Sequence, residues 1–305
     1  MKSTTFHTGS AATLLILMWF LTACGLNQTL PAPTATTPPS PTRSPTETAT
    51  PLPPTPTSIP PAAIVNGEVI PLEDYDGELS RYEAAGGQPN DSQAVLDDLV
   101  AQVLLAQGAR EAGYVLDDNT LQSRIDQLAE QAGGVDAFSQ WQTENNFTPE
   151  SFRRSLRRSI EAAWMRDQIL VGVPKRAEQV HARQILVFDR DQADQMYSQL
   201  EAGTDFATIA ATIDPATLGD LGWFPRGYLT IPEVEEAAFE LEPEAYSQVI
   251  ETDLGFHIVQ VIERDPDRPL DPDVRLVLES KELKNWLETA KAESEIVLLA
   301  PDQPN

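Results

Sequence analysis

The sequence predicts an α+β protein, and two patterns in the chain support that prediction. Between residues 92 and 171, apolar side chains recur every three or four positions, which is typical of amphipathic helices. After Val173 the strand-like alternation of residues 180–187 is followed by helical segments, and then by strand-like segments at 248–252 and 255–262. We therefore expect a helical unit followed by a small antiparallel sheet flanked by helices.

Turn and capping signals define several elements of this fold. Ile64–Ile70 is predicted to form a hairpin, because Asn66-Gly67 is a preferred pair for a two-residue turn with positive φ. Thr148 before Pro149 is a good helix start, with a capping hydroxyl followed by a proline in the first turn. A last helix, at about residues 274–292, is too isolated to fold alone, and we expect it to pack on the N-terminal helices.

Four arginines follow the Thr148 helix start with a spacing that places them on the outward face of that helix. Such a group is compatible with an anionic partner or with an ordinary solvated face. We favour the solvated face, because aspartates and glutamates surround the arginines in the sequence. The residues are Arg153, Arg154, Arg157 and Arg158.

The N-terminus has the pattern of a secretory signal peptide over residues 1–23. Lys2 precedes an apolar run at 11–21, which is too short for a transmembrane helix; the alternative is a buried N-terminal helix. Cys24 is the only cysteine of the chain, so an internal disulfide is excluded. The stretch Leu21-Thr22-Ala23-Cys24 resembles a bacterial lipobox, which predicts lipidation of Cys24 and anchoring in a membrane.

The chain after the signal peptide divides by composition. Residues 24–62 are rich in proline, threonine and serine, and lack the apolar side chains needed to offset ordering entropy, so we expect a disordered, extended stalk. The periodicity then predicts a helical domain at 63–173, an α+β domain at 174–266, and a C-terminal helix and tail at 267–305.

The charge of the chain excludes one class of partner. The chain has 21 basic and 47 acidic side chains, and 19 of the basic and 46 of the acidic ones follow residue 62. The predicted folded part therefore carries a net charge of −27. Nucleic-acid binding requires a basic surface, so we expect no nucleic-acid partner.

Three motifs in the second domain resemble a known family. They are Gly219-Asp220-Leu221-Gly222-Trp223-Phe224, Glu235-Glu236-Ala237-Ala238-Phe239 and Gly255-Phe256-His257-Ile258. In this order and spacing, residues 179–265 resemble a parvulin-type peptidyl-prolyl isomerase domain. Residues 64–171 are similar, more loosely, to the helical chaperone domain of extracytoplasmic foldases of the PrsA and SurA kind. The resemblance implies rotation about X–Pro bonds without a covalent step, a cofactor or a metal.

The resemblance also implies which polar residues form the site. His257 falls on the family's strand histidine, and Asp214 falls on a position that holds aspartate or cysteine beside the bound proline. Gln184 stands where the family has a second histidine, and it keeps one donor and one acceptor. His181 lies three positions earlier on the same strand, so we expect its side chain on the opposite face.

The family's proline pocket maps onto four apolar residues. Leu221 and Phe224 match the pattern, Leu229 stands near the usual methionine, and Val234 replaces the usual phenylalanine. The resemblance therefore implies a wider and less aromatic pocket. Ordinary core packing is the alternative reading for all four residues.

Two functions remain open at this point. The first is a membrane-anchored, extracytoplasmic foldase that isomerises X–Pro bonds in newly exported polypeptides. The second is a holdase chaperone that binds unfolded chains without turnover. The departures at Gln184 and Val234 favour the holdase, whereas Asp214 and His257 favour the enzyme, and we prefer the enzyme. A purely structural role in the cell envelope has no support beyond the stalk.

Overall fold

The computed structural model describes residues 60–88 and 91–300. The predicted signal peptide, Cys24 and nearly all of the predicted stalk lie outside the described residues. None of the helices in the described part of the chain has the length and apolar character needed to cross a bilayer. The helices are α1 (Leu72–Ala84), α2 (Ser92–Glu111), α3 (Asp118–Gln131), α4 (Val135–Glu144), α5 (Pro149–Val171), α6 (Arg190–Glu201), α7 (Phe206–Ile213), α8 (Pro232–Glu240) and α9 (Pro272–Glu293). The strands are β1 (Pro61–Val65), β2 (Glu68–Pro71), β3 (Arg176–Val187), β4 (Asp220–Pro225), β5 (Ile250–Thr252), β6 (Gly255–Pro269) and β7 (Ile296–Leu298). This composition confirms the α+β class.

A three-stranded antiparallel sheet, in the order β2-β1-β7, brings the two ends of the described chain together. The hairpin turns at Asn66 and Gly67, whose φ angles are 50° and 83°. Asn66 also fixes the start of β7, because its backbone N–H donates to the Glu295 carbonyl at 2.8 Å and its side-chain oxygen accepts from the Glu295 N–H at 2.9 Å. Sequence periodicity does not indicate β7. β1 begins at Pro61, inside the segment predicted to be stalk.

Helices α2 and α5 form the centre of the helical part, and α9 packs against both of them. Trp286 of α9 lies directly over Gly108 of α2, where a Cβ atom would be 2.8 Å from Trp286 Cζ2. Leu283 and Leu287 of α9 join Leu105 and Ile169 in the same apolar cluster. The C-terminal half of α9 is therefore part of the helical core.

The arginines of α5 do not simply face solvent. Arg158 is buried and lies 3.7 Å from the buried carboxylate of Asp74 on α1. Arg154 donates to the same carboxylate at 2.6 Å, whereas Arg153 and Arg157 pair with exposed Asp118 on α3. The expectation of four solvated arginines is wrong for Arg158, because helix α1 covers the face of α5 on which Arg158 lies.

A four-stranded antiparallel sheet, in the order β4-β3-β6-β5, follows the helical part. Helices α6 and α7 cover one face, with Ile185 and Phe206 in their cluster, and α8 covers the other face, with Val180 and Phe239 in its cluster. The sequence does not indicate β4, because an aspartate and a glycine are among its first three residues. β6 continues to Pro269, seven residues beyond the predicted end, since backbone pairing with the start of β3 persists after the apolar alternation stops.

Candidate active site

The imidazole of His257 is the centre of a buried hydrogen-bond network in this second sheet. His257 lies on β6 and has no solvent-exposed surface. Its Nδ1 atom is 2.9 Å from Gln184 Oε1 on β3, and its Nε2 atom is 2.9 Å from Thr252 Oγ1 at the end of β5. Three strands therefore hold the ring through both of its nitrogens, and the structure brings the predicted pair of His257 and Gln184 together.

Burial sets the protonation state of His257. It lowers the pKa of the ring below the ordinary value of 6.5 because burial disfavours the charged form, and only the charge of Glu233 opposes this effect. The ring is therefore neutral near pH 7. A neutral ring has one donor and one acceptor. Gln184 Oε1 is an acceptor, so the contact matches the tautomer in which Nδ1 carries the proton and Nε2 is the acceptor.

Thr252 is the member of this network that the sequence analysis missed. Its hydroxyl lies within hydrogen-bond distance of His257 and of the Gly255 carbonyl, and it accepts from the Leu254 N–H at 3.1 Å. Thr252 precedes the Gly255-Phe256-His257 motif by only three residues. A hydroxyl in a tight turn at the head of the histidine strand is the signal that could have identified it.

The lowered pKa of His257 predicts a loss of stability in mild acid. Below pH 6.5 the unfolded chain binds a proton at this ring while the folded chain does not, so the free energy of unfolding falls as the pH drops toward the folded pKa. We expect His257→Gln to flatten this dependence between roughly pH 5 and 7. Urea unfolding followed by tryptophan fluorescence measures it. Equal slopes for the wild type and the variant would contradict the prediction.

The aspartates with a lowered pKa lose their contribution to stability at a lower pH than His257 does. Hydrogen bonds lower the pKa of Asp117, Asp205 and Asp214 below 3.8, and the same is true of Asp220, where burial has the opposing effect but the Gly222 N–H and His181 outweigh it. Their contribution to stability is present above that value and is lost only as the pH falls through their folded pKa values. Acid destabilisation above about pH 5 is therefore assigned to histidine and not to these carboxylates.

An apolar cluster adjoins the polar network on the α8 side of the sheet. Val259 belongs to this cluster and pairs directly with Gln184 across β3 and β6. Phe224 and Val234 are 0% and 1% exposed, whereas Leu221 and Leu229 are only partly buried. The four residues predicted for the proline pocket thus lie in one cluster. Four further partly buried residues, which were not predicted from the sequence, join them: Tyr228, Ile231, Leu241 and Ile250.

Asp214 makes its hydrogen bonds within its own loop. It ends α7, and its carboxylate accepts from the backbone N–H groups of Ala216 at 3.1 Å and Thr217 at 3.2 Å, and from the Thr217 hydroxyl. These bonds lower the pKa of Asp214. The carboxylate is therefore charged, and its observed partners make it an anchor of the α7–β4 loop.

The α7–β4 loop contacts the site through the backbone of Gln184. The Gly219 carbonyl accepts from the Gln184 N–H at 2.8 Å, and a Cβ atom on Gly219 would lie 1.9 Å from the Gln184 carbonyl oxygen. Leu218 and Gly219 both have left-handed backbones, with φ angles of 58° and 73°. A leucine in this region is strained, so the loop keeps a costly conformation where it meets β3.

His181 lies on the other face of β3, as strand alternation predicts. Its Nε2 atom is 2.9 Å from Asp220 Oδ1, and its ring stacks on Trp223 with 5.5 Å between centroids. His181 and Gln184 therefore lie on opposite faces of the sheet, and His181 contacts Asp220 whereas Gln184 contacts His257.

A neutral, doubly hydrogen-bonded histidine lies beside an apolar cluster on one face of the second sheet. Comparison with known families identifies the class of protein that carries this arrangement. Residues 168–265 match the family described as PPIC-type PPIASE domain, and residues 57–156 match the SurA-like N-terminal domain.

Two foldases and one solved structure illustrate the likeness. Foldase protein PrsA of Caldanaerobacter subterraneus subsp. tengcongensis is 32% identical over 232 residues, which cover 65% of this chain and 72% of that protein. Foldase protein PrsA of Halalkalibacterium halodurans is 43% identical over 91 residues, covering 28% of this chain and 27% of that protein. The crystal structure of peptidylprolyl isomerase PrsA from Bacillus anthracis aligns with a TM-score of 0.43 and 22% identity, over 65% of this chain and 96% of that one.

The chain belongs to the PrsA/SurA-like parvulin foldases. Its second sheet and the helices on it are a peptidyl-prolyl cis-trans isomerase domain, and the resemblance drawn from the three sequence motifs is confirmed. The family assists the folding of exported proteins outside the cytoplasm.

Proposed function

We propose that this chain is a lipid-anchored foldase that isomerises X–Pro bonds in unfolded, newly exported polypeptides at the outer face of the cell membrane. The lipobox-like sequence before Cys24 supports the anchor, and the proline-rich segment up to residue 62 would hold the folded part away from the bilayer. Residues 63–173 would grip extended clients, residues 174–266 would isomerise, and residues 267–305 would complete the helical domain.

The observation that carries this proposal is the network of Gln184, His257 and Thr252 at the end of the apolar cluster. Leu221 and Leu229 are accessible enough to contact a proline ring, and Phe224 and Val234 would form the floor beneath it. The polar network would then face the peptide bond on the amino side of the proline. Asp214 would act as a positioning residue through the loop that it anchors.

The required chemistry is modest. The barrier to rotation about the peptide bond is about 18–20 kcal/mol. A thousandfold acceleration needs about 4 kcal/mol of preferential binding to the twisted amide. An apolar pocket that binds the ring and neutral groups that hydrogen-bond the rotated carbonyl can supply this without proton transfer. Loss of the family's second histidine to Gln184 is compatible with that mechanism.

Exchange NMR on a short Ala-Pro peptide tests the proposal with the full chain. We expect cis–trans exchange to quicken in proportion to protein, and to slow several-fold for His257→Ala, which removes the centre of the network. Leu221→Ala is expected to weaken peptide binding more than Asp214→Ala does, because only Leu221 belongs to the apolar cluster. Equal affinities for these two variants would contradict the pocket assignment.

The burial of the site favours a second candidate, a holdase without turnover. Phe224, Val234 and His257 are almost completely buried, so a proline would reach them only if neighbouring residues moved. Peptide binding detected by chemical-shift changes, with exchange no faster than in buffer, would establish the holdase and overturn the enzyme.

A further inference from the structure

The loop that carries Leu229 is held from two sides by charged side chains. On one side, the carboxylate of Glu235 on α8 accepts from the Gly227 N–H at 2.7 Å and from the Leu229 N–H at 2.9 Å. On the other side, Lys281 Nζ on α9 is 2.6 Å from the Gly227 carbonyl, 3.1 Å from the Leu229 carbonyl and 3.4 Å from the Tyr228 carbonyl. We call Lys281, Glu235 and residues 227–229 the loop clamp.

The clamp uses the bonding capacity of each charged group. An ammonium group has three donors, and Lys281 faces three backbone carbonyls of consecutive residues. A carboxylate accepts several hydrogen bonds, and Glu235 receives two backbone N–H groups of the same segment. Hydrogen bonds with a charged partner are stronger than neutral ones, so this arrangement fixes both edges of a short segment that lacks regular structure.

Helix α9 connects this clamp to the helical part of the chain. Lys281 lies two residues before the stretch in which Leu283, Trp286 and Leu287 pack with α2 and α5. Leu278, one turn earlier, reaches to within 3.6 Å of a Cβ built on Gly227. The same helix is thus anchored in the helical core and bonded to the loop of the proposed proline pocket.

Lys281 lies at a cleft between α9 and the segment that follows β4. Leu278, Lys281 and Asn285 of α9 line one side of a cleft of about 440 Å³, and Pro225, Arg226 and Gly227 line part of the other side. Beside this cleft, polar contacts join the helix to the carbonyl groups of residues 227–229. The side chain of Lys281 spans this gap.

We infer that Lys281 and Glu235 are positioning residues for substrate binding: they fix the segment bearing Tyr228 and Leu229 as a wall of the proline pocket, and they tie that wall to the helical domain through α9. The inference rests on the proposed pocket. It gives Lys281, which lies outside the three family motifs, and Glu235, which lies within one of them, a role in binding that the motifs themselves do not specify. It also assigns α9 a role at the substrate site besides completing the helical core.

The test replaces Lys281 with methionine, which keeps the length and apolar contacts of the side chain but removes the donors. Lys284→Met is the matched control, because Lys284 is exposed one turn further along α9 and its ammonium group pairs with the exposed carboxylate of Glu288 at 3.7 Å. Hydrogen–deuterium exchange of peptides spanning residues 226–231 reports the clamp directly. Fluorescence anisotropy with a labelled Ala-Pro peptide reports the pocket.

We expect Lys281→Met to raise amide exchange in this segment and to weaken peptide binding by roughly tenfold, with Lys284→Met unchanged in both. In catalysis, KM should rise while kcat changes little, because the clamp shapes the binding wall and does not touch the amide. Glu235→Gln should show a smaller effect of the same kind. The variant with both substitutions should lose less peptide-binding free energy than the two single variants lose in total, because both side chains act on the same segment.

Each result has a defined meaning. Unchanged exchange at 226–231 in Lys281→Met overturns the clamp, whether or not the protein is an isomerase. Raised exchange with unchanged peptide affinity overturns the link between the clamp and the pocket. A wild type that binds the peptide but shows no turnover overturns the enzyme proposal alone, because exchange and anisotropy still test the clamp.

Discussion

Replacement of Asp74 by asparagine is expected to lower the free energy of unfolding by about 3–5 kcal/mol. The Asp74 side chain is 3% exposed and lies between Arg154 and Arg158 of α5. Burial lowers the pKa of Arg158, and the charge of Asp74 is the main opposing influence. Asparagine keeps the shape of the side chain and removes its charge. Arg158 would then be a buried cation whose remaining opposing charges, Glu78 and Glu68, act on it less strongly than Asp74 does.

The matched control is Asp118→Asn. Asp118 also pairs with two arginines of α5, Arg153 at 3.2 Å and Arg157 at 2.7 Å, but its side chain is 80% exposed. Exposed pairs contribute about 0–1 kcal/mol, so this variant should remain close to the wild type. Urea unfolding of both variants measures the difference. Equal losses would contradict the assignment of the effect to burial.

A double variant separates the two causes of the loss. If the cost of Asp74→Asn is an unpaired buried charge, then adding Arg158→Met should restore much of the stability, because methionine has no charge to solvate. If the loss of stability in Asp74→Asn comes instead from the lost hydrogen bond to Arg154, adding Arg158→Met should restore no stability. Arg154 keeps Glu73 as a partner in either case.

The second large effect is expected for Gly219→Ala. The left-handed φ of 73° alone costs an alanine about 1–2 kcal/mol. The new Cβ would also lie 1.9 Å from the Gln184 backbone oxygen, which cannot move without displacing β3. We expect a total loss of at least about 3 kcal/mol, together with most of the peptide affinity, because Gln184 would leave His257.

Gly222→Ala is the control for this prediction. Gly222 has a similar φ of 69°, and a Cβ there would meet no atom within 4 Å. That variant should show only the conformational cost of about 1–2 kcal/mol. The amide resonance of Gln184 reports the local effect, and it should shift strongly only in Gly219→Ala. A similar loss of stability in both variants would show that the close approach to Gln184 is unimportant.

Features that depend on residues close together in the chain could be predicted before the fold was known. Periodicity placed α2, α3 and α5, and Thr148 caps α5 as predicted, with Ser151 closing the capping box. The Asn66-Gly67 pair predicted the hairpin. The motifs around Phe224, Phe239 and His257 predicted the isomerase domain, because a family pattern records the residue types that a fold and a site require.

Contacts between segments that are distant in the chain could not be predicted in this way and became known only from the folded structure. Arg154 meets Asp74 across 80 residues, the Asn66 side chain meets Ser294 across 228, and Lys281 reaches Leu229 across 52. Local patterns do not encode such contacts. The residues next to a lysine or an aspartate do not show whether its side chain lies in solvent or binds a distant segment. In the same way, a short apolar stretch does not show whether it will pair as a strand. Its role depends on which surfaces the folded chain brings together.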